Sequence, residues 1–123
     1  MSLIDTYRNN IIRKRSGLSK LSSDKAKESD KKARQKHKII SATNSLKRSS
    51  SQSIIRLKTS EIEKAEKEIA KIDKKIAELD KKIAQKDKEI ASEEKKLRNE
   101  EEKLRKKQEQ EEKKNDNNKM NEP

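Results

Sequence analysis

The sequence predicts an all-α chain organised around one long coiled-coil helix, and three observations carry that prediction. Ile62, Ile69, Ile76, Ile83, Ile90, Leu97 and Leu104 recur every seven residues, with Ala65, Ile72 and Leu79 three positions further on. These are the a and d lines of a heptad, a seam along one helix face. No residue from Ser53 to Lys114 is Gly or Pro, so nothing in the covalent chain interrupts that helix. Finally, the 123 residues are 26% hydrophobic, 1% aromatic and 47% charged. That leaves too little apolar surface for a layered globular core and excludes sandwich, barrel and doubly wound architectures.

The first element is a basic helix over residues 1–48. Ile4, Ile11 and Leu18 lie seven apart, Tyr7 and Leu21 take d positions, and Lys14 is a polar d. Gly17 weakens this helix by roughly 1 kcal/mol relative to Ala. Residues 22–38 are nearly devoid of apolar groups, yet Ile39, Ala42 and Leu46 return to the frame that Ile4 and Tyr7 began. A preserved phase points to one continuous helix with a polar middle. The competing reading is a break at Ser22 and Ser23, which would cap a new helix.

Residues 49–53, SSSQS, are the expected turn. Serine hydroxyls compete for backbone hydrogen bonds, and the heptad frame shifts by two residues across the cluster, from Leu46 to Ile55. Residues 54–113 form the long charged helix, supported by Glu94–Arg98, Glu101–Arg105 and Glu102–Lys106 pairs in the favourable order. Residues 114–123, KNDNNKMNEP, have the composition of a disordered tail.

A seam of Ile and Leu has to be buried, either against copies of itself or against the N-terminal half. With Ile62 as a, the e column is Glu66, Asp73, Asp80, Asp87, Glu94 and Glu101, so two long helices running antiparallel would repel. A parallel pair is permitted, since Lys75, Lys82 and Lys96 meet Asp80, Asp87 and Glu101 across it.

An antiparallel hairpin closing near Gln52 also fits, bringing Arg8 to Glu94, Arg15 to Asp87 and Lys36 to Glu66. In it Ile4, Tyr7, Ile11, Leu18, Leu21, Ile39 and Leu46 pack on the long helix. Ile4, Ile11 and Leu18 face Glu100, Glu93 and Lys86, while Lys25, Glu28, Lys32 and Gln35 face Leu79, Ile76, Ile72 and Ile69 and leave them under-covered. The expectation is therefore a hairpin that self-associates, with a dimer favoured, through Ile62, Ile69, Ile72, Ile76, Leu79, Ile83 and Ile90. Ala70, Ala77, Ala84 and Ala91 widen the apolar face at b, or simply reflect helix propensity.

Charge divides the chain. Residues 1–60 hold 16 Lys/Arg against 4 Asp/Glu, and residues 61–123 hold 19 of each. Arg13, Lys14, Arg15, Lys31, Lys32 and Arg34 are candidate contacts for an anion, whether nucleic acid or an acidic surface. Without interleaved aromatics any nucleic-acid binding would be blind to sequence and sensitive to salt. A solvated face that pairs with the acidic e column is the plainer role.

Enzyme chemistry is not expected. His37 is the single histidine, cysteine is absent, and one glycine cannot build a phosphate-binding loop. No cofactor or metal is expected either. The opening residues lack a basic start followed by an apolar run, Ser2 fails the myristoylation pattern, and no stretch approaches the roughly 18 apolar residues of a membrane span. The expected location is cytoplasmic.

MSLIDTYRNNIIRKR, followed later by IAKIDKKIAELDKKIAQKDKEIASEEKKLRNEEEK, resembles the N-terminal coiled-coil region of bacterial proteins that carry a Toll/interleukin-1 receptor (TIR) domain after it. The resemblance covers most of residues 1–113 and is most specific at MSLIDTYR. It implies a coil that assembles chains, with the TIR domain supplying signalling or NAD-cleaving activity. No TIR residue can be carried over, since nine residues follow Lys114. The resemblance thus implies a coil-only version, a truncated form, or a regulator that co-assembles with TIR-bearing relatives.

Overall fold

The computed structural model describes residues 2–120, with side chains through 116. Two helices make the fold, α1 at Leu3–Arg48 and α2 at Gln52–Met120, and the chain reverses between them. Among the described residues there is no strand. The fold is an all-α antiparallel helical hairpin.

Short polar residues start both helices. Ser2 Oγ accepts from the Asp5 backbone N–H at 3.1 Å, and the Ser2 carbonyl accepts from Thr6 N at 3.0 Å, which is N-cap geometry with an acidic residue in the first turn. α1 runs without a break through Ser22 and Ser23, so its heptad phase did report continuity. Lys47 and Arg48 complement the carbonyl end of the helix. The connection is residues 49–51, shorter than the expected 49–53. Ser49 Oγ accepts from Ser51 N at 3.2 Å, and the Ser51 carbonyl accepts from Ile55 N at 3.0 Å. Because Ser51 occupies the N-cap, Gln52 and Ser53 become helical. No described residue has a positive φ, so the reversal needs no glycine.

At its far end α2 runs past the expected boundary at residue 113 into the segment 114–123. The helix continues through Met120, and residues 121–123 lie outside the described residues. Asn and Asp cost only a fraction of a kcal/mol each in a helix, and neither Gly nor Pro occurs between Gln52 and Pro123 to stop it.

The chain divides into two compact units. In the first, the start of α1 through Gly17 packs on α2 from Lys86 onward. Ile11 and Ile90 are buried, and Ile4, Tyr7 and Leu97 are half-buried. Arg8 reaches Glu101 at 4.0 Å, and Arg15 Nη2 donates to Glu94 Oε1 at 2.8 Å. Between these rungs Lys14, the polar d, meets Glu93 at 3.8 Å.

The facing layers keep the expected register, with Gly17 beside the Lys86 side chain, Asn10 reaching Glu93, and Ile4 sharing a groove with Glu100. The flanking arginines differ: Arg8 and Arg15 find Glu101 and Glu94, each one heptad beyond the expected Glu94 and Asp87. The cause is side-chain direction. Helical side chains lean toward their own N-terminus, so in an antiparallel pair two long side chains meet further along both helices than their Cα positions suggest. Glu94 and Glu101, engaged by arginines of α1, do not form the expected pairs with Arg98 and Arg105. Arg105 instead bonds Glu109 at 3.0 Å, while the expected Glu102–Lys106 pair forms at 3.7 Å.

The second unit is Leu18–Gln85, which contains the reversal. Ala42, Ala65 and Ile72 are buried, and Ile72, at 1% exposure, is the largest fully buried side chain. Leu18, Leu21, Ile39 and Leu46 on α1, with Ile62, Ile69, Ile76, Leu79 and Ile83 on α2, are half-buried. The a and d positions of each helix thus face the other helix throughout this unit.

The polar middle of α1 covers the apolar middle of α2 better than expected. Lys25 Nζ lies 2.7 Å from Asp80 Oδ1, and Lys32 Nζ lies 2.7 Å from Asp73 Oδ1. Both lysines occupy a positions, so their aliphatic stems lie on the seam while their amines reach the flanking e carboxylates. Lys32 therefore screens Ile72 from water, and burial of that one side chain contributes roughly 1.5–3 kcal/mol. Asp73 is held by Lys32, and among the described residues no ion pair joins Lys36 to Glu66.

Candidate interaction surfaces

With the seam closed, the surfaces left for a partner follow from which side chains remain uncommitted. Most of the candidate anion contacts are engaged. Lys14 pairs with Glu93, Arg15 with Glu94, Lys32 with Asp73, and Lys31 Nζ donates to Glu28 Oε1 at 3.1 Å. Arg13 Nη2 donates to Asn10 Oδ1 at 2.6 Å, and Asn10 Nδ2 reaches Glu93 Oε2 at 3.5 Å. Of the six candidates, Arg34 alone forms no ion pair or hydrogen bond among the described residues; it lines a groove with Glu28, Lys31, Lys75 and Leu79. In the basic run of α1, Arg15, Lys25 and Lys32 reach the acidic e column of α2, whereas Lys20, Lys27, Arg34, Lys36 and Lys38 form no ion pair among the described residues.

The seam residues Ile72 and Ile90 are buried inside the fold, whereas Ile62, Ile69, Ile76, Leu79 and Ile83 keep part of their surface open. Beside the half-buried a residues Ile69, Ile76 and Ile83 stand the exposed b residues Ala70, Ala77 and Ala84. In the second unit, therefore, a narrow apolar strip with a seven-residue repeat survives hairpin closure. His37 is exposed and lines a groove with Lys38, Ala42, Glu61 and Glu68.

One cluster escaped the sequence reading. Between Asp30 and Glu61 there are nine Lys/Arg and no Asp or Glu. The hairpin folds this interval at residues 49–51, which brings Lys47, Arg48, Arg56 and Lys58 to its closed end. Lys58 bonds Glu61 at 3.3 Å, whereas Lys47, Arg48 and Arg56 form no ion pair among the described residues. At the same end Ile54, Ile55 and Leu57 are exposed, Leu57 to 57%. The absence of acids from 31 to 60 was the available signal, and only the position of the reversal gives it a location.

Among the described residues no helix is long and apolar enough to cross a membrane. Comparison of the chain with protein-family models, with curated proteins and with solved structures finds no match.

Proposed function

We propose that the chain is a non-enzymatic assembly module, a helical hairpin that docks on a second copy of itself. The observation that carries this reading is the strip of Ile69, Ile76 and Ile83 beside exposed Ala70, Ala77 and Ala84. Small residues at b let a neighbouring helix approach closely, and two hairpins meeting along such strips form a four-helix arrangement. Hairpin closure changes the role of the seam itself. Ile72 and Ile90 hold the two helices together, and the association surface is the a and b edge next to them.

The resemblance of MSLIDTYR and the repeats to the coils of TIR-bearing bacterial proteins supports a setting in defence or signalling. There the hairpin would assemble chains or co-assemble with a TIR-bearing relative. Mixing the two chains at micromolar concentration checks this. Mixed oligomers support the setting, and exclusive self-association removes it.

Sedimentation equilibrium, with circular dichroism followed over dilution, tests self-association. The expected result is a dimer whose helicity persists as it dissociates. Ala77→Glu should give a helical monomer by placing a charge on the strip. An Ala77→Glu chain that dimerises like the parent would sink the reading.

A further inference from the structure

We propose that the closed end of the hairpin docks on the surface of an anionic lipid bilayer. Three features coincide there. Among the described residues no carboxylate pairs with Lys47, Arg48 or Arg56, and no acidic residue lies between Asp30 and Glu61. Ile54, Ile55 and Leu57, exposed to 42%, 38% and 57%, project from the first turns of α2 among those cations. The connection itself is three serines, small and uncharged, which place no bulk between the apolar side chains and a flat surface.

This pairing of cations with aliphatic side chains suits the bilayer interface. Lys and Arg are drawn to the headgroup charge while Ile and Leu enter the acyl boundary. The other occupants fit less well. A second copy approaching end to end would bring like charge against like charge. Nucleic acid would use the cations, yet it offers nothing to three aliphatic side chains, and no aromatic residue stands here to stack on a base. The proposal is independent of self-association along the Ala70 and Ala77 strip, which lies on a different part of α2.

The test is co-sedimentation of the intact chain with phosphatidylcholine vesicles, with and without about 30% phosphatidylserine. Binding is expected only with phosphatidylserine and should fade as salt rises. Two variants separate the contributions. Lys47→Glu with Arg48→Glu should lower partitioning at least about tenfold, and Ile54→Ser with Leu57→Ser should lower it similarly at unchanged salt dependence. All four side chains are exposed, so circular dichroism should show unaltered helicity in the Ile54→Ser/Leu57→Ser chain and no more than fraying of the last turn of α1 in the charge-reversed one.

Equal binding to neutral vesicles, absence of binding by the parent chain, or an Ile54→Ser/Leu57→Ser chain that binds as the parent does would each overturn the proposal. So would binding of a duplex oligonucleotide that the same Ile54 and Leu57 substitutions leave untouched, if vesicle binding is absent.

Discussion

Arg15 Nη2 sits 2.8 Å from Glu94 Oε1, and Asp87, one heptad earlier on the same acidic column, is left without an arginine. That choice reports the direction in which the two side chains lean along the helices of the first unit. A double-mutant cycle on Arg15 and Glu94 should return a coupling of about 0.3–1 kcal/mol, the usual range for an exposed pair. The same cycle on Arg15 and Asp87 should return about zero. A larger coupling to Asp87 in urea denaturation would mean that Arg15 leans the other way along α2.

Ile72 is where the fold is most sensitive. Truncation to Ala removes three methyl-sized groups from a fully enclosed site, so Ile72→Ala should destabilise the hairpin by about 2–5 kcal/mol. Ile12 lies on the same hairpin but is 65% exposed, and Ile12→Ala should change stability by no more than about 0.5 kcal/mol. Thermal melts followed at 222 nm, a wavelength where helix absorbs strongly in circular dichroism, compare the two. Similar losses for both would contradict the assignment of the seam.

Glu28 occupies a d position on the seam, lining a groove with Leu79. Its Oε1 accepts from Lys31, whereas its Oε2 is buried and has no hydrogen-bond partner. An enclosed carboxylate oxygen without a donor is a standing cost. Glu28→Leu should therefore raise stability by about 1 kcal/mol, read as a higher urea midpoint at unchanged slope. A lower midpoint would show that Glu28 is satisfied in solution.

Gly17 is the remaining weak point of α1. A Cβ at this position would meet only Lys86 Cε, at 3.6 Å, which is ordinary contact with the end of a flexible side chain. Gly17→Ala should stabilise the helix by about 0.5–1 kcal/mol. A loss of stability there would mean that the close approach of α2, not chain flexibility, selected glycine.

These sites also show what could be read from the residues in advance. The seam was legible because its period is written in Ile and Leu, and α1 was legible as continuous because Ile39 and Ala42 keep the phase of Ile4 and Tyr7. The exact pairing was not, because a heptad column fixes which face a charge occupies but not how far a long side chain leans along the helix. Arg8 and Arg15 therefore found acids one heptad away from those expected. Coverage of Ile72 was misjudged for a related reason. Lys32 counts as polar in a one-letter pattern, yet most of its length is hydrocarbon. The cationic closed end was missed because it joins residues from both helices, and only the place where the chain reverses brings them together.

Every residue from Glu101 to Asp116 on α2 is exposed, in contrast to the side chains around Ile72. Past Gln108, the last residue of α2 that shares a groove with the start of α1, amide protons have helical hydrogen bonds but no described helix beside them to slow their opening, so they should exchange with deuterium through fraying alone. Amides near Ile72 exchange only when the two helices separate. Deuterium uptake should therefore rise along α2 from minutes-scale protection toward near-immediate labelling, and the residue at which protection vanishes marks where α1 ceases to shield its partner.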